Sequence, residues 1–114
     1  MFGWLFGGGG DVKTLDPGVL RNMLREKDSP YVLVDVREDK EWAGGRIAGA
    51  IHAPLSRFDE AAAKLPKDRP IIFYCASGMR SKTALRRAKA MGLNAEGHLG
   101  GGISRWARNF PVVR

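Results

Sequence analysis

Tyr31-Val32-Leu33-Val34-Asp35-Val36 is an apolar run without polar alternation. A strand with one wet face alternates. A continuous run implies burial on both faces, as in a parallel sheet covered by helices. Asp35 interrupts the run near its carboxyl end, where a carboxylate needs a partner or a hydrogen-bond donor. Ile71-Ile72-Phe73-Tyr74 repeats the pattern and runs directly into Cys75.

Helical signals separate these runs. Asp16 offers an N-cap and Pro17 a first helical position, with Val19, Leu20, Met23 and Leu24 on one face. That helix is expected to end near Asp28-Ser29-Pro30. Ser56 with Asp59 resembles a capping box ahead of a helix over about 57–65. The clearest helix begins near Ser81, with Ala84, Leu85, Ala88 and Met91 on its apolar face and Gly92 as a natural stop. A short helix around 103–108 carries Trp106. Shorter strands are expected over 12–15, 47–53 and 93–99. The alternation predicts an α/β fold with a mostly parallel five-stranded sheet and helices on both faces. Such sheets bind ligands outside the carboxyl ends of their strands. Asp35 and Cys75 are both placed at that edge.

Tyr74-Cys75-Ala76-Ser77-Gly78-Met79-Arg80-Ser81 carries the only cysteine of the chain. A thiol between a strand's end and the first turn of a helix sits where backbone N–H groups and the helix dipole favour an anion. Those forces favour the thiolate. Gly78 permits the positive φ that a tight anion-binding curl needs. Arg80 would sit at the helix N-terminus, where a cation opposes the dipole. It is expected either to pair with Asp35 or another acid and hold the loop, or to bind an anionic substrate. A buried, inert cysteine is the competing reading, disfavoured by the small-residue loop, the glycine and the arginine. No histidine is adjacent in sequence. A dyad with His52 or His98 is an open alternative, but each is read as a packed or surface residue. Without an obvious base, the chemistry that fits is attack on sulfur, which needs no proton transfer to an oxygen or nitrogen leaving group.

The 114 residues suffice for one core, and 44% hydrophobic with 27% charged residues exclude a disordered chain. One cysteine excludes an internal disulfide framework and a cysteine-cluster metal site, and it fits a reducing, cytoplasmic setting. No cofactor is expected. The net charge of +7 suits an anionic substrate or a solvated surface, and no interleaved aromatic signature argues for nucleic acid. Met1-Phe2-Gly3-Trp4-Leu5-Phe6 lacks a basic n-region and is shorter than a signal-peptide core. With Gly7-Gly8-Gly9-Gly10 it is expected to form a flexible tail over 1–10, ahead of one domain over 11–114. Weak membrane-surface or partner contact by its aromatics is the alternative. No segment reaches the roughly 18 apolar residues of a membrane span.

Several separated motifs together resemble the rhodanese family of sulfurtransferases. Val32-Leu33-Val34-Asp35-Val36-Arg37 opens the likeness, and Glu41-Trp42 with Gly45-Arg46-Ile47-Ala48-Gly49-Ala50-Ile51-His52-Ala53-Pro54 continues it. Ile72-Phe73-Tyr74-Cys75-Ala76-Ser77-Gly78-Met79-Arg80-Ser81 is similar to the active-site loop, and Leu99-Gly100-Gly101-Gly102-Ile103 with Trp106 to the closing motif. Arg46 and Ala48 depart from the histidine and proline often found there.

The resemblance implies a rhodanese-like three-layer sandwich. It also implies that Cys75 takes a sulfane sulfur from a small anionic donor such as thiosulfate and passes it to cyanide or a thiol. Main-chain N–H groups from Ala76, Ser77, Gly78, Met79, Arg80 and Ser81 would stabilise the persulfide. Asp35 is expected to tie its strand end to the loop, and Arg37 to form a surface ion pair, with substrate contact as its weaker alternative. Two rivals stand beside this. A cysteine phosphatase or arsenate reductase has five residues between cysteine and arginine, whereas Ala76-Ser77-Gly78-Met79 are four. A binding module or sulfur relay could dock an acidic protein partner on Lys82, Arg86, Arg87 and Lys89.

Overall fold

The computed structural model describes residues 12–114; the expected tail over 1–10 and the start of the expected domain at Asp11 lie outside the described residues. In chain order the elements are β1 (Thr14–Leu15), α1 (Pro17–Arg25), β2 (Val32–Asp35), α2 (Asp39–Gly44), β3 (Ile51–His52), a 3₁₀ turn (Leu55–Arg57), α3 (Phe58–Ala62), β4 (Ile71–Tyr74), α4 (Met79–Ala90), β5 (Ala95–Leu99) and α5 (Gly102–Trp106). The strands form one sheet in the order β1-β5-β4-β2-β3, and every pairing is parallel.

The two continuous apolar runs became the central strands. All four residues of β2 and all four of β4 are buried. Side-chain alternation along them divides the core into two layers. Val32, Val34, Ile71, Phe73 and Cys75 pack with Phe58 of α3 and Ala84, Leu85 and Ala88 of α4. Leu33, Ile72 and Tyr74 pack on the other face with Leu20 of α1 and Trp106 of α5. From β2 the chain moves outward to β3, then crosses back to β4 and continues to β5 on the other side. The loops after β2 and β4 therefore diverge, opening a crevice between two carboxyl ends. That is the topological switch point at which open α/β sheets bind ligands.

Local details differ from the expectation. Ser56 does not cap a helix. It lies inside the 3₁₀ turn, and its hydroxyl donates to the Glu38 carboxylate. The reciprocal cap belongs to α2 instead, where the Glu38 N–H donates to Glu41 Oε1 at 2.9 Å. The expected helix over 57–65 is thereby shortened to the five residues of α3. Val19 and Met91, placed by periodicity on apolar faces, are 50% and 40% exposed. Met91 is the C-cap, one residue past the end of α4.

The link between α5 and β4 places the site. The N–H groups of Ile103 and Ser104 donate to the carbonyls of Cys75 and Ala76 at 2.9 and 3.1 Å. Gly102 makes this approach possible. It holds φ +62°, and a Cβ there would overlap the Ala76 carbonyl. Gly92 also has a positive φ, but open space surrounds it. Gly102→Ala is therefore expected to lower stability by about 3 kcal/mol, a drop of roughly 10–20 °C in Tm, and Gly92→Ala by only about 1 kcal/mol. Thermal unfolding followed by circular dichroism measures both.

Candidate active site

Cys75 follows the last residue of β4, and Gly78, at φ +111°, turns the chain into α4. The turn folds the backbone around the sulfur. Sγ accepts the Gly78 N–H at 3.1 Å and the Ser81 N–H at 3.3 Å, and it lies 3.6 Å from Ser81 Oγ. The sulfur is buried while Met79, at the loop's rim, is 77% exposed. Ser77 is also exposed and Ala76 is half-buried. Of the main-chain N–H groups from Ala76 to Ser81, those of Gly78 and Ser81 donate to Sγ, while the Arg80 side chain is directed elsewhere.

Arg80 reaches across to α2. Its guanidinium grips Glu41 with two bonds of 2.8 and 2.9 Å. This explains a cation in the first turn of α4, where the dipole disfavours it. The acid is Glu41 rather than Asp35. The Arg80 guanidinium, together with the Glu38 N–H, holds the Glu41 carboxyl down at about 2 despite partial burial.

Asp35 serves its own loop. It pairs with Tyr74 in the β2–β4 register and lies one strand position before Cys75, so it faces the opposite side of the sheet. Its carboxylate takes the Arg37 N–H at 2.9 Å and the guanidinium at 2.7–3.1 Å. Arg37 then donates to the Gly45 carbonyl at 2.6 Å. Arg37 is 6% exposed, so its ion pair is interior rather than on the surface. A buried pair returns its desolvation cost only when further hydrogen bonds satisfy it, and the Gly45 carbonyl supplies one. The loop after β2 is also held by His52, whose Nε2 lies 2.7 Å from the Arg37 carbonyl and whose ring stacks on Trp42 at 4.6 Å. Tyr74 hydroxyl accepts the Ile47 N–H at 3.1 Å, and burial raises its phenol above the usual range.

His98 is read from sequence as a packed or surface residue. It is 1% exposed, but one hydroxyl separates it from the thiol. Ser81 Oγ lies 2.8 Å from His98 Nδ1, and His98 Nε2 lies 3.0 Å from Thr14 Oγ1. The signal was a polar residue at an interior position of the last strand. Its meaning required knowing that β5 lies beside β4 and under α4. Burial, with the nearby Lys82 and Arg86, lowers the imidazole to about 4. Among the described residues, no group of three or more His, Cys, Asp or Glu side chains could hold a metal ion. No described helix is long and apolar enough to cross a membrane.

The two lowered groups give a pH profile. His98 titrates near 6.5 in an unfolded chain and about 4 when folded. Its neutral burial therefore contributes stability that is complete above about 6.5 and is lost as the pH falls through about 4. Glu41 adds a second loss below the ordinary carboxylate range, down to about 2. Urea midpoints measured from pH 7 to 4 are expected to fall for the wild type, with a shallower slope for His98→Gln.

Residues 16–109 match the model of the rhodanese-like domain. A sulfurtransferase of Allochromatium vinosum is 34% identical over 103 residues, which cover 90% of this chain and 95% of that protein. A probable adenylyltransferase/sulfurtransferase of Mycobacterium tuberculosis is 40% identical over 99 residues, covering 85% of this chain but a quarter of that larger protein. Among solved structures, a rhodanese-related protein from Thermoplasma volcanium superposes with a TM-score of 0.77 at 32% identity, over 88% of this chain and 96% of that one. The matched residues run from the cap of α1 past α5, and with them the all-parallel sheet and the cysteine loop at its switch point make this chain a member of the rhodanese-like family.

Proposed function

We propose that this protein is a sulfurtransferase that carries sulfane sulfur as a persulfide on Cys75. The observation that carries the reading is the pair of N–H groups from Gly78 and Ser81 aimed at Sγ, with no acid–base side chain in direct contact. Fixed backbone donors stabilise a sulfur anion, and that is what this chemistry needs. The Cys75 thiolate attacks the outer sulfur of a donor such as thiosulfate. The donor's S–S bond breaks, and sulfite leaves with the electron pair. A thiol or cyanide then attacks the outer sulfur of the persulfide, and the Cys75 thiolate is the leaving group. In both steps the leaving group departs as an anion with its electron pair and needs no proton, so neither requires a metal or an organic cofactor.

A phosphatase reading is disfavoured by Arg80. In that chemistry a loop arginine clamps the transferring group, and here both prongs are engaged by Glu41. A sulfur-relay reading keeps the same persulfide but takes an acidic protein as donor or acceptor. It is favoured by the exposed Lys82 and Arg86 on α4, beside the cysteine loop. Arg87 contributes less to such a surface, because it pairs with Asp59 at 2.7 Å and lies over the Phe58 ring. Persulfide chemistry on a lone thiol suits a reducing, cytoplasmic setting.

Incubation with thiosulfate followed by intact-mass measurement is expected to show one added sulfur on the wild type, removable by cyanide or dithiothreitol. Cys75→Ser is expected to take none while remaining folded. An unmodified wild type that hydrolyses an aryl phosphate would sink the reading. Arg80 is a clamp on the loop, so Arg80→Lys is expected to cost about 1 kcal/mol of stability and to leave the thiosulfate KM within about twofold. A tenfold rise in KM would make Arg80 a donor anchor instead.

A further inference from the structure

Cys75, Ser81, His98 and Thr14 form one continuous hydrogen-bonded row. Sγ lies 3.6 Å from Ser81 Oγ, Oγ lies 2.8 Å from His98 Nδ1, and Nε2 lies 3.0 Å from Thr14 Oγ1. The first three residues are no more than 1% exposed. Thr14 is exposed and opens, with His98 and Lys82, onto a surface cavity of about 180 Å³. The row thus joins a buried thiol to solvent through side chains that the sulfur chemistry itself does not use.

We propose that His98 is a positioning residue whose neutral ring changes tautomer as Cys75 ionises, so that the Ser81 hydroxyl accepts from the thiol but donates to the thiolate. A hydroxyl carries one proton. While Cys75 is a thiol, S–H donates to Ser81 Oγ, the Ser81 proton points at His98 Nδ1, and His98 Nε2–H donates to Thr14. On ionisation each proton moves one place. The thiol proton passes to Ser81, the Ser81 proton to Nδ1, the Nε2 proton to Thr14, and the Thr14 proton to water in the cavity. The row ends with every bond reversed and no charge left on the ring. Ser81 then supplies a third donor to the sulfur anion, beside the two backbone N–H groups.

This exchange requires a ring with one acceptor nitrogen, which imidazolium lacks. The surroundings keep the ring neutral. Lys82 and Arg86 face it from α4, and burial disfavours its charge. Glu96, on the same strand as His98, pairs at 3.0 Å with Lys13 just before β1, and Arg80 is paired with Glu41. The Gly78 carbonyl, 3.2 Å from Ser81 Oγ, is a longer competing acceptor than Nδ1. The inference rests on Cys75 working as a thiolate in the proposed sulfur transfer, but its test reads thiol ionisation alone.

The test follows the ring nitrogens of ¹⁵N-histidine-labelled protein by NMR across the Cys75 titration, with His52 identified by a His52→Asn variant and thiolate followed by its ultraviolet absorbance. A change from the Nε2–H to the Nδ1–H form is expected as thiolate appears, and no change in Cys75→Ser over the same pH range. Iodoacetamide alkylation of Cys75 on the acid side of its titration is expected to be roughly threefold slower in Thr14→Val and about tenfold slower in His98→Phe, with partial recovery in His98→Asn, whose amide can still partner Ser81. A single tautomer throughout, or alkylation profiles of wild type and Thr14→Val that coincide, would overturn the proposal. Because Thr14→Val touches neither the sulfur nor Ser81, the test stands even if His98→Phe fails to fold. A protein that shows the tautomer change, takes no sulfur from thiosulfate and hydrolyses an aryl phosphate would support the hydrogen-bonded row and overturn the sulfurtransferase reading.

Discussion

Two backbone N–H groups aimed at one sulfur atom set the terms for the rest of the molecule. Backbone donors neither titrate nor change rotamer, so their field on Sγ is as permanent as the loop that presents them. That loop is small and glycine-containing, and such a segment has little intrinsic reason to keep one shape. It keeps this one because it is held from two sides. From behind, the first turn of α5 donates to the Cys75 and Ala76 carbonyls through a contact that only a glycine at position 102 permits. From the side, Arg80 is fixed to Glu41 on α2. The neighbouring loop, after β2, is braced separately by the buried Asp35–Arg37 pair and by the Trp42–His52 stack. Much of the polar chemistry near the crevice is therefore scaffolding for the few main-chain donors that meet the sulfur.

The elements legible in the sequence were those whose signal is contiguous. The runs at Val32 and Ile71 announced buried parallel strands, and Cys75 to Ser81 announced an anion-binding turn. What stayed hidden depends on pairings across the chain. Glu41 and Arg80 are 39 positions apart, and Ser81 and His98 are 17. Nothing local selects Glu41 over the neighbouring acids. Its selection comes from the cap of α2, where the Glu38 N–H fixes the Glu41 carboxylate that Arg80 then grips. Asp35 is an instructive case. Its place at a carboxyl end was legible, and so was its need for a partner. Cys75, however, sits one position beyond Tyr74, the residue opposite Asp35, and a one-residue step in a strand is a change of face. Arg37 lies in the bend just past β2, and its N–H and guanidinium both turn back onto the buried Asp35, which takes the pair inside.

The cations on α4 act in two places at once. Lys82 and Arg86 oppose a charge on His98, and they lie beside the loop that an anionic donor would approach. A field that attracts an anion is the same field that keeps a nearby imidazole neutral. A neutral imidazole is a poor partner for a thiolate if it must act as a permanent cation, but a good one if it must exchange donor and acceptor roles. A cysteine nucleophile activated by a charged histidine would need this charge pattern reversed. The position of the positive charge, outside the sulfur's shell and facing the ring, therefore argues for a site that works with fixed amides and a neutral hydrogen-bonded row. Such a site suits cargo that arrives and leaves as an anion on sulfur, because no proton need be delivered to a leaving group.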